Sequence, residues 1–221
     1  MTKKEIKLNI GCGPSGLPGW KNYDWGIVPL LSKLKTIRKI LIVLKILPKE
    51  YELNWPTLRL VDIRRPFPLE AETVKYVYCS HVLEHFDRWE AVKILKECRR
   101  VMKDGGVIRL VVPDIEKLCK IYLKGMMNKK SDSRPGQDFC RLWWGYDKDI
   151  EPRNLIQRLS RKFIRDHQWN YDKHELEILL NEAGFSQIKL SDFQKGKFPD
   201  IKSLDLECHK NHSLYLEVIK S

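Results

Sequence analysis

Apolar and polar positions along the chain follow two periods. Short apolar or alternating runs at residues 8–10, 20–25, 57–61, 75–79, 107–112, 187–190 and 214–219 read as strands. Residues 107–112 form a nearly continuous apolar run, as expected of a strand buried on both faces. Between them lie helical periods. One runs from about residue 88 to 102, with Val92, Leu95 and Cys98 or Arg99 on its core face. Others cover 115–122, 139–144, 154–163 and 173–182, the last stopped by Gly184. Residues 129–137 are polar and contain Pro and Gly, so a loop is expected there. The last two strands are joined by a long polar connection without a strong helix, which predicts an antiparallel pair. Strands alternate with helices through most of the chain, and this predicts a doubly wound α/β sheet in a single domain over 1–221.

The most apolar stretch, 27–47, fails as a membrane span. Lys33, Lys35, Arg38, Lys39 and Lys45 interrupt it, each costing roughly 2.5–3.5 kcal/mol near a bilayer centre. Leu30, Leu34, Ile37, Leu41 and Leu44 recur at helical spacing, and Pro48 closes the pattern. No acidic residue occurs between Ile27 and Lys49. The stretch reads either as a crossover helix packed on the sheet, or as a basic amphipathic insertion, 27–49, resting on an anionic membrane or covering a substrate.

The first strand runs into Gly11-Cys12-Gly13-Pro14-Ser15-Gly16, a literal G-x-G-x-x-G. The dinucleotide fingerprint needs a helix opening inside the motif. Here Pro18 and Gly19 oppose one, and Asp24 follows Gly16 by eight residues rather than the ~20 of a ribose carboxylate in that fingerprint. The turn therefore cradles something other than a pyrophosphate, and a nicotinamide cofactor is disfavoured.

Composition narrows the partners. The chain has 41 Lys+Arg against 29 Asp+Glu, net +12, favouring anionic acceptors, nucleic acid or an acidic membrane surface. Cysteines 12, 79, 98, 119, 140 and 208 contain no C-x-x-C and read as reduced, buried thiols. No apolar segment follows the basic N-terminus, so a cytoplasmic protein is expected.

Asp24, Asp62 and Asp114 fall at strand ends, which in a parallel sheet share the edge of the glycine turn. A carboxylate after the second strand can accept ribose hydroxyls, and one after the third an adenine amine. Each is equally readable as a loop or N-cap residue.

With these features the chain resembles the class I S-adenosylmethionine-dependent methyltransferases. Leu8-Asn9-Ile10-Gly11-Cys12-Gly13-Pro14 is similar to the family's first motif, and Val61-Asp62-Ile63 looks like its adenine-edge acid. Tyr78-Cys79-Ser80-His81-Val82-Leu83-Glu84-His85 resembles its fourth motif. Glu97 to Gly106 resembles the helix and turn before its fifth strand. His167-Gln168-Trp169 with Tyr171, and Leu176 to Phe185, resemble the C-terminal part of a methyltransferase group often found beside glycan-biosynthesis genes. The resemblance implies a Rossmann-like, mostly parallel seven-stranded sheet with a C-terminal antiparallel strand pair, and S-adenosyl-L-methionine as cofactor. It implies that Gly11, Cys12 and Gly13 approach the methionine part of the cofactor and that Asp24 binds the ribose. Asp62 would bind the adenine, with Ile63 against the ring, and Cys79 and Ser80 would flank the cofactor through backbone groups. The helix usual between the first two strands is short or absent here, a departure from the family's pattern just before Asp24.

Methyl transfer requires alignment of nucleophile and methyl group, and an oxygen or nitrogen acceptor can need a base. His81, after the fourth strand, is the first candidate, with His85 one helical turn on. His81-x-x-Glu84-His85 also resembles the Glu-x-x-Glu-His metal site of some O-methyltransferases with its first ligand changed to His. A divalent ion there stays open, and no metal is assigned. His167, near Trp169 and orientable by Asp166 or Asp172, is the third candidate. The segment 120–165 is expected to cap the acceptor site, its Arg141, Arg153, Arg158, Arg161, Lys162 and Arg165 either meeting phosphate or carboxylate or forming a plain solvated basic face. The expected function is methyl transfer to an oxygen or nitrogen of a small or glycan-linked, anionic acceptor. Alternatives are an RNA methyltransferase, for which no RNA-binding module is visible, and a non-catalytic protein peripheral to the membrane through 27–47.

Overall fold

The computed structural model describes residues 5–44, 52, 57–127, 134–145, 151 and 166–221. Seven strands form one sheet: β1 (Ile6–Ile10), β2 (Lys21–Asp24), β3 (Leu58–Leu60), β4 (Val74–Ser80), β5 (Met102–Pro113), β6 (Gln187–Leu190) and β7 (Ser213–Ile219). Their order is β3-β2-β1-β4-β5-β7-β6. The first five run parallel, and β7 is antiparallel to both β5 and β6. The chain leaves β1 toward one edge and returns to the other side of it as β4. That reversal opens a crevice at the carboxyl ends of β1 and β4, where such sheets hold ligands.

The helices among the described residues are α1 (Ile27–Ser32), α2 (Lys35–Val43), α3 (Arg88–Val101), α4 (Ile115–Met127), α5 (Pro135–Trp144), α6 (Lys173–Glu182) and α7 (Ile201–Leu204). Helix α3 buries Ala91, Ile94, Leu95, Cys98 and Val101, a stripe slightly turned from the expected one. Val92 is only partly buried, and Arg99 lies at the surface, donating to the carbonyls of Gly184 and Ser221. Helix α6 starts where Asp172 accepts from the Glu175 amide at 2.8 Å and ends at Gly184, φ +90°. Arg88 joins α3 to α6 by ion pairs to Glu175 and Glu182 at 2.7 and 2.6 Å.

Several expectations change. Helix α5 begins at Pro135, inside the expected loop, because Pro at the first turn of a helix loses nothing. The helix expected at 154–163 lies outside the described residues, as do Arg153, Arg158, Arg161, Lys162 and Arg165. Cys119, Cys140 and Cys208 are exposed rather than buried. Asp114 takes its N-cap role: its carboxylate accepts from the Glu116 amide at 3.0 Å, and its backbone bridges Tyr171.

The largest change concerns 27–44. The helix is broken at Lys33 and Leu34, and α2 turns its apolar side outward. Leu34, Ile37, Ile40, Val43 and Leu44 are exposed, whereas Arg38 is the buried side chain of α2. The described part of this stretch is therefore not a crossover helix with its leucines in the core.

Candidate active site

Strand β1 delivers the glycine turn to the crevice. Gly11 has φ +65°, and its amide and that of Cys12 donate to the Tyr23 carbonyl of β2 at 2.8 and 3.2 Å. A Cβ at residue 11 would stand 2.2 Å from Cγ2 of Val82, so the turn is pressed against the segment after β4. Gly13 has φ +50° and faces open space, with nothing within 4 Å of a Cβ placed there. A single 3₁₀ turn, Gly13–Ser15, stands where the usual helix would begin. Gly16 is extended, φ −62°, and needs no glycine. The third glycine of the apparent fingerprint is thus incidental.

Asp24, at the end of β2, closes this turn. Its Oδ2 accepts from the Gly13 amide and its Oδ1 from the Trp25 amide, each at 2.7 Å. Burial raises its carboxyl despite those two donors. Each oxygen keeps a lone pair for a ligand hydroxyl. Burial, with Asp24 alongside, pushes the Cys12 thiol up to about 12, so this cysteine is an inert wall.

Asn9, Gly11, Gly13, Tyr78, Ser80 and His209 line a cleft that opens to solvent. It brings together Gly11, Cys12, Gly13 and Ser80, with Asp24 bound to its rim. Cys79 and Ile63 do not line it; their side chains belong to the core. Asp62 stands apart from the cleft, and Arg64 donates to both of its oxygens at 2.8 Å. Those hydrogen bonds hold its carboxyl below the usual carboxylate range.

Beyond Ser80 the chain makes a strained corner. His81 has φ +52°, costly for a residue with a Cβ. Its Nε2 lies 2.8 Å from Ser213 Oγ, and its Nδ1 lies 3.2 Å from Oε1 of Glu84. Its ring stacks on His209, centroids 3.6 Å apart, and meets His212 edge-on at 5.7 Å. Burial, with His81 and His212 beside it, lowers His209 to about 3. Burial, with His81 and Lys117 nearby, lowers His212 to about 4. Both imidazoles are neutral at physiological pH.

Leu83–His85 is a 3₁₀ turn, so His85 is not one α-helical turn from His81 as expected. It points instead toward the C-terminal half, where its ring meets that of His167 at 5.0 Å. His167 is buried and held by the Trp143 carbonyl, 3.0 Å from Nδ1, rather than by Asp166 or Asp172. The amides of Gln168 and Trp169 donate to the Glu84 carbonyl at 2.7 and 3.2 Å, which seats the whole segment on β4's extension. Glu84 itself is completely buried, and neither carboxylate oxygen accepts a well-aligned hydrogen bond from the described residues. Burial alone would raise its carboxyl; His81, His85 and His167 together hold it below the usual range.

His209, His212, Ser213 and Tyr78 were not expected at this site. Tyr78 comes from β4 itself; the other three are held there by Arg109, a fully buried arginine inside the apolar run of β5. Arg109 pairs with Asp205 through two hydrogen bonds, 3.0 and 2.6 Å, and with Glu217 at 2.9 Å. It also donates to Ser191 and to the carbonyls of Asp192 and Lys195. This pins the connection between β6 and β7 across the sheet, and Tyr78 joins by donating to the Leu204 carbonyl at 2.9 Å. The spacing His209-x-x-His212 was the one local signal of this wall.

Residues 36–110 match the family described as a methyltransferase domain, from α2 through β5. The fold agrees over the whole chain. A SAM-dependent methyltransferase from Thermotoga maritima, described as a possible histamine N-methyltransferase, aligns with a TM-score of 0.50 at 14% identity, covering 100% of this chain and 84% of that one. The PH0226 protein from Pyrococcus horikoshii OT3 gives 0.51 at 18% identity, with 100% and 84% covered. A structure of PigF with SAH gives 0.51 at 13% identity, with 98% and 56% covered. The chain is thus similar to a methyltransferase domain over residues 36–110 and shares the fold of solved S-adenosylmethionine-dependent methyltransferases. No curated protein matches its sequence. The chain spans only half the length of the CurJ carbon methyltransferase structure it also resembles, at 14% identity. The open face of Gly13 and the cleft between β1 and β4 fit the family's cofactor, S-adenosylmethionine.

Proposed function

We propose that the chain moves a methyl group from S-adenosylmethionine to an oxygen or nitrogen of a small or glycan-linked, anionic acceptor. The observation that carries this reading is the position of His81. It sits at the corner after β4, stacked on a residue that lines the cleft and backed by the Glu84 carboxylate at 3.2 Å. When bound, the cofactor supplies an electrophilic methyl carbon whose bond to sulfur breaks as the acceptor lone pair attacks. In this reading Gly11, Cys12 and Gly13 present backbone to the methionine part, Asp24 accepts from the ribose, and Cys79 and Ser80 flank the cofactor through backbone groups. Asp62 takes the adenine amine and Ile63 packs against the ring, which requires Asp62 to share its carboxylate with Arg64. His81 receives the acceptor proton, and Glu84 balances the resulting imidazolium. His85 and His167 stand on the far side of Glu84, where they keep that carboxylate ionised. Release of S-adenosylhomocysteine, followed with anionic sugars as acceptors, tests the reading. His81→Ala is expected to lower turnover roughly 100-fold or more, the usual worth of a general base. An unchanged rate removes His81 from the mechanism.

We also propose that α1 and α2 rest on an anionic membrane surface. Leu34, Ile37, Ile40 and Val43 face solvent, and the exposed Lys33, Lys35 and Lys39 lie among them with no acidic residue nearby in sequence. That combination suits the boundary between acyl chains and acidic headgroups. No helix of the described residues is long and apolar enough to cross a membrane. Flotation with phosphatidylglycerol-containing vesicles is expected to carry the protein at low salt; its absence there removes this role.

A further inference from the structure

Glu84, His85 and His167 come together from two distant parts of the chain, and their ligand atoms all lie within 4.8 Å of one another. Three features set the cluster apart from an ordinary buried ion pair. First, Glu84 is fully buried, and among the described residues its carboxylate meets only the poorly aligned Nδ1 of His81, 3.2 Å from Oε1, with no well-aligned donor. A carboxylate in that state is costly unless something positive meets it. The hydroxyl of Tyr171, buried within electrostatic reach of Glu84, has no hydrogen-bond partner among the described residues. Second, a carbonyl can only accept, so the contact of His167 Nδ1 with Trp143 O places the ring proton on Nδ1. That leaves the lone pair of Nε2 directed into the cluster, 4.0 Å from Oε1 of Glu84. A backbone carbonyl behind one nitrogen is the usual way to orient the other toward a metal. Third, the space before Nε2 is kept clear by Gly145, the left-handed cap of α5, φ +78°; a Cβ there would stand 2.3 Å from Nε2.

We propose that Glu84, His85 and His167 bind one divalent transition-metal ion, of the zinc or manganese class. Two imidazoles and one carboxylate select such an ion over magnesium or calcium, which prefer oxygen. With bonds of ~2.1 Å the ligand atoms must draw in by roughly an ångström, within reach of side-chain rotation. His85 is only partly buried and gives the entry path, whereas the other two are buried. Three protein ligands leave further positions on the ion, suited to hydroxyl or carboxylate oxygens of an acceptor. Binding of the ion stands on this geometry alone; its role in holding an acceptor rests on the methyl transfer proposed above.

The test uses the full chain, stripped with chelator and titrated with Co²⁺ and with Zn²⁺. One ion per chain is expected, with the Co²⁺ visible absorption band of an N/O site. Affinity is expected to fall at least about tenfold in His85→Ala and in His167→Ala, each checked by circular dichroism for an intact fold. Glu84→Gln serves as a third variant but is not relied on, because it alters a fully buried charge. Absence of binding at hundred-micromolar metal overturns the proposal. So does binding that survives both histidine variants, since the ion then sits elsewhere. Calorimetry with S-adenosylmethionine on the same samples separates the two readings. Cofactor binding without metal removes only the metal site, and metal binding without cofactor removes only the methyltransferase reading.

Discussion

The corner after β4 and the helices α1–α2 break the same rule in opposite directions. At the corner, charge is inside: Glu84 and Arg109 are fully buried. In α1–α2, apolar surface is outside: Val43 is 79% exposed and Ile40 52%. A buried charge persists only where a network surrounds it, and Arg109 has one built from Asp205, Glu217, Ser191 and two carbonyls. Exposed apolar surface needs no internal network, because what covers it comes from outside. The first region is therefore expected to fail by unfolding or loss of ligand when altered, and the second only by loss of a partner.

Arg109→Met attacks the first region hardest. Removing one partner of a buried pair leaves Asp205 uncompensated, and a loss of roughly 3–5 kcal/mol in denaturant unfolding is expected. If the protein tolerates this change at no cost, the network does not hold the β6–β7 connection. The two glycines of the turn separate stability from binding. Gly11→Ala meets Val82 at 2.2 Å and is expected to lose about 2–3 kcal/mol of stability. Gly13→Ala meets no protein atom, so it is expected to lose about 1 kcal/mol for its backbone while weakening cofactor binding at least tenfold. Equal stability losses in the two variants contradict the assignment of Gly13's open side to the ligand.

Acid sharpens the comparison further. His209 and His212 titrate near 3 and 4 when folded, against 6.5 unfolded. Because their folded values are lowered, the unfolded chain binds protons first, and stability falls as pH drops below about 6.5. Between pH 7 and pH 5 the melting temperature is expected to fall by roughly 3–6 °C, and replacing both with Gln flattens that slope. The raised carboxyl of Asp24 acts in the other direction, but only near the ordinary carboxylate range. The smallest effect belongs to α2. Ile37→Ser with Ile40→Ser is expected to leave stability within about 1 kcal/mol, as for exposed sites, while abolishing vesicle flotation. A large loss of stability places that face against the protein after all.

What the sequence made legible follows from period. The seven strands, helices α3 and α6 and the short turn after β1 all rest on local pattern and appear as expected. Period reports that a helix has two faces, not which one the protein uses. The outward turn of α2, with Arg38 inside, was invisible for that reason. The glycine turn, His81, His85 and His167 were readable as candidates. His85 and His167 meet because the Glu84 carbonyl binds the amides of 168 and 169, a pairing of residues more than 80 positions apart. The wall formed by His209 and His212 depends on Arg109, which looks like an anomaly in an apolar strand until its partners are placed. Asp62 had a role by resemblance, but its neighbour Arg64, two residues on, occupies both oxygens.

Titration calorimetry of the full chain with S-adenosylmethionine is the most direct test of the central claim, that the crevice between β1 and β4 is a cofactor site. Saturable binding at one site per chain is expected, weakened at least about tenfold by Gly13→Ala and by Asp62→Ala. No binding heat at millimolar cofactor contradicts the account, and an unchanged affinity in Asp62→Ala removes that residue from the adenine edge.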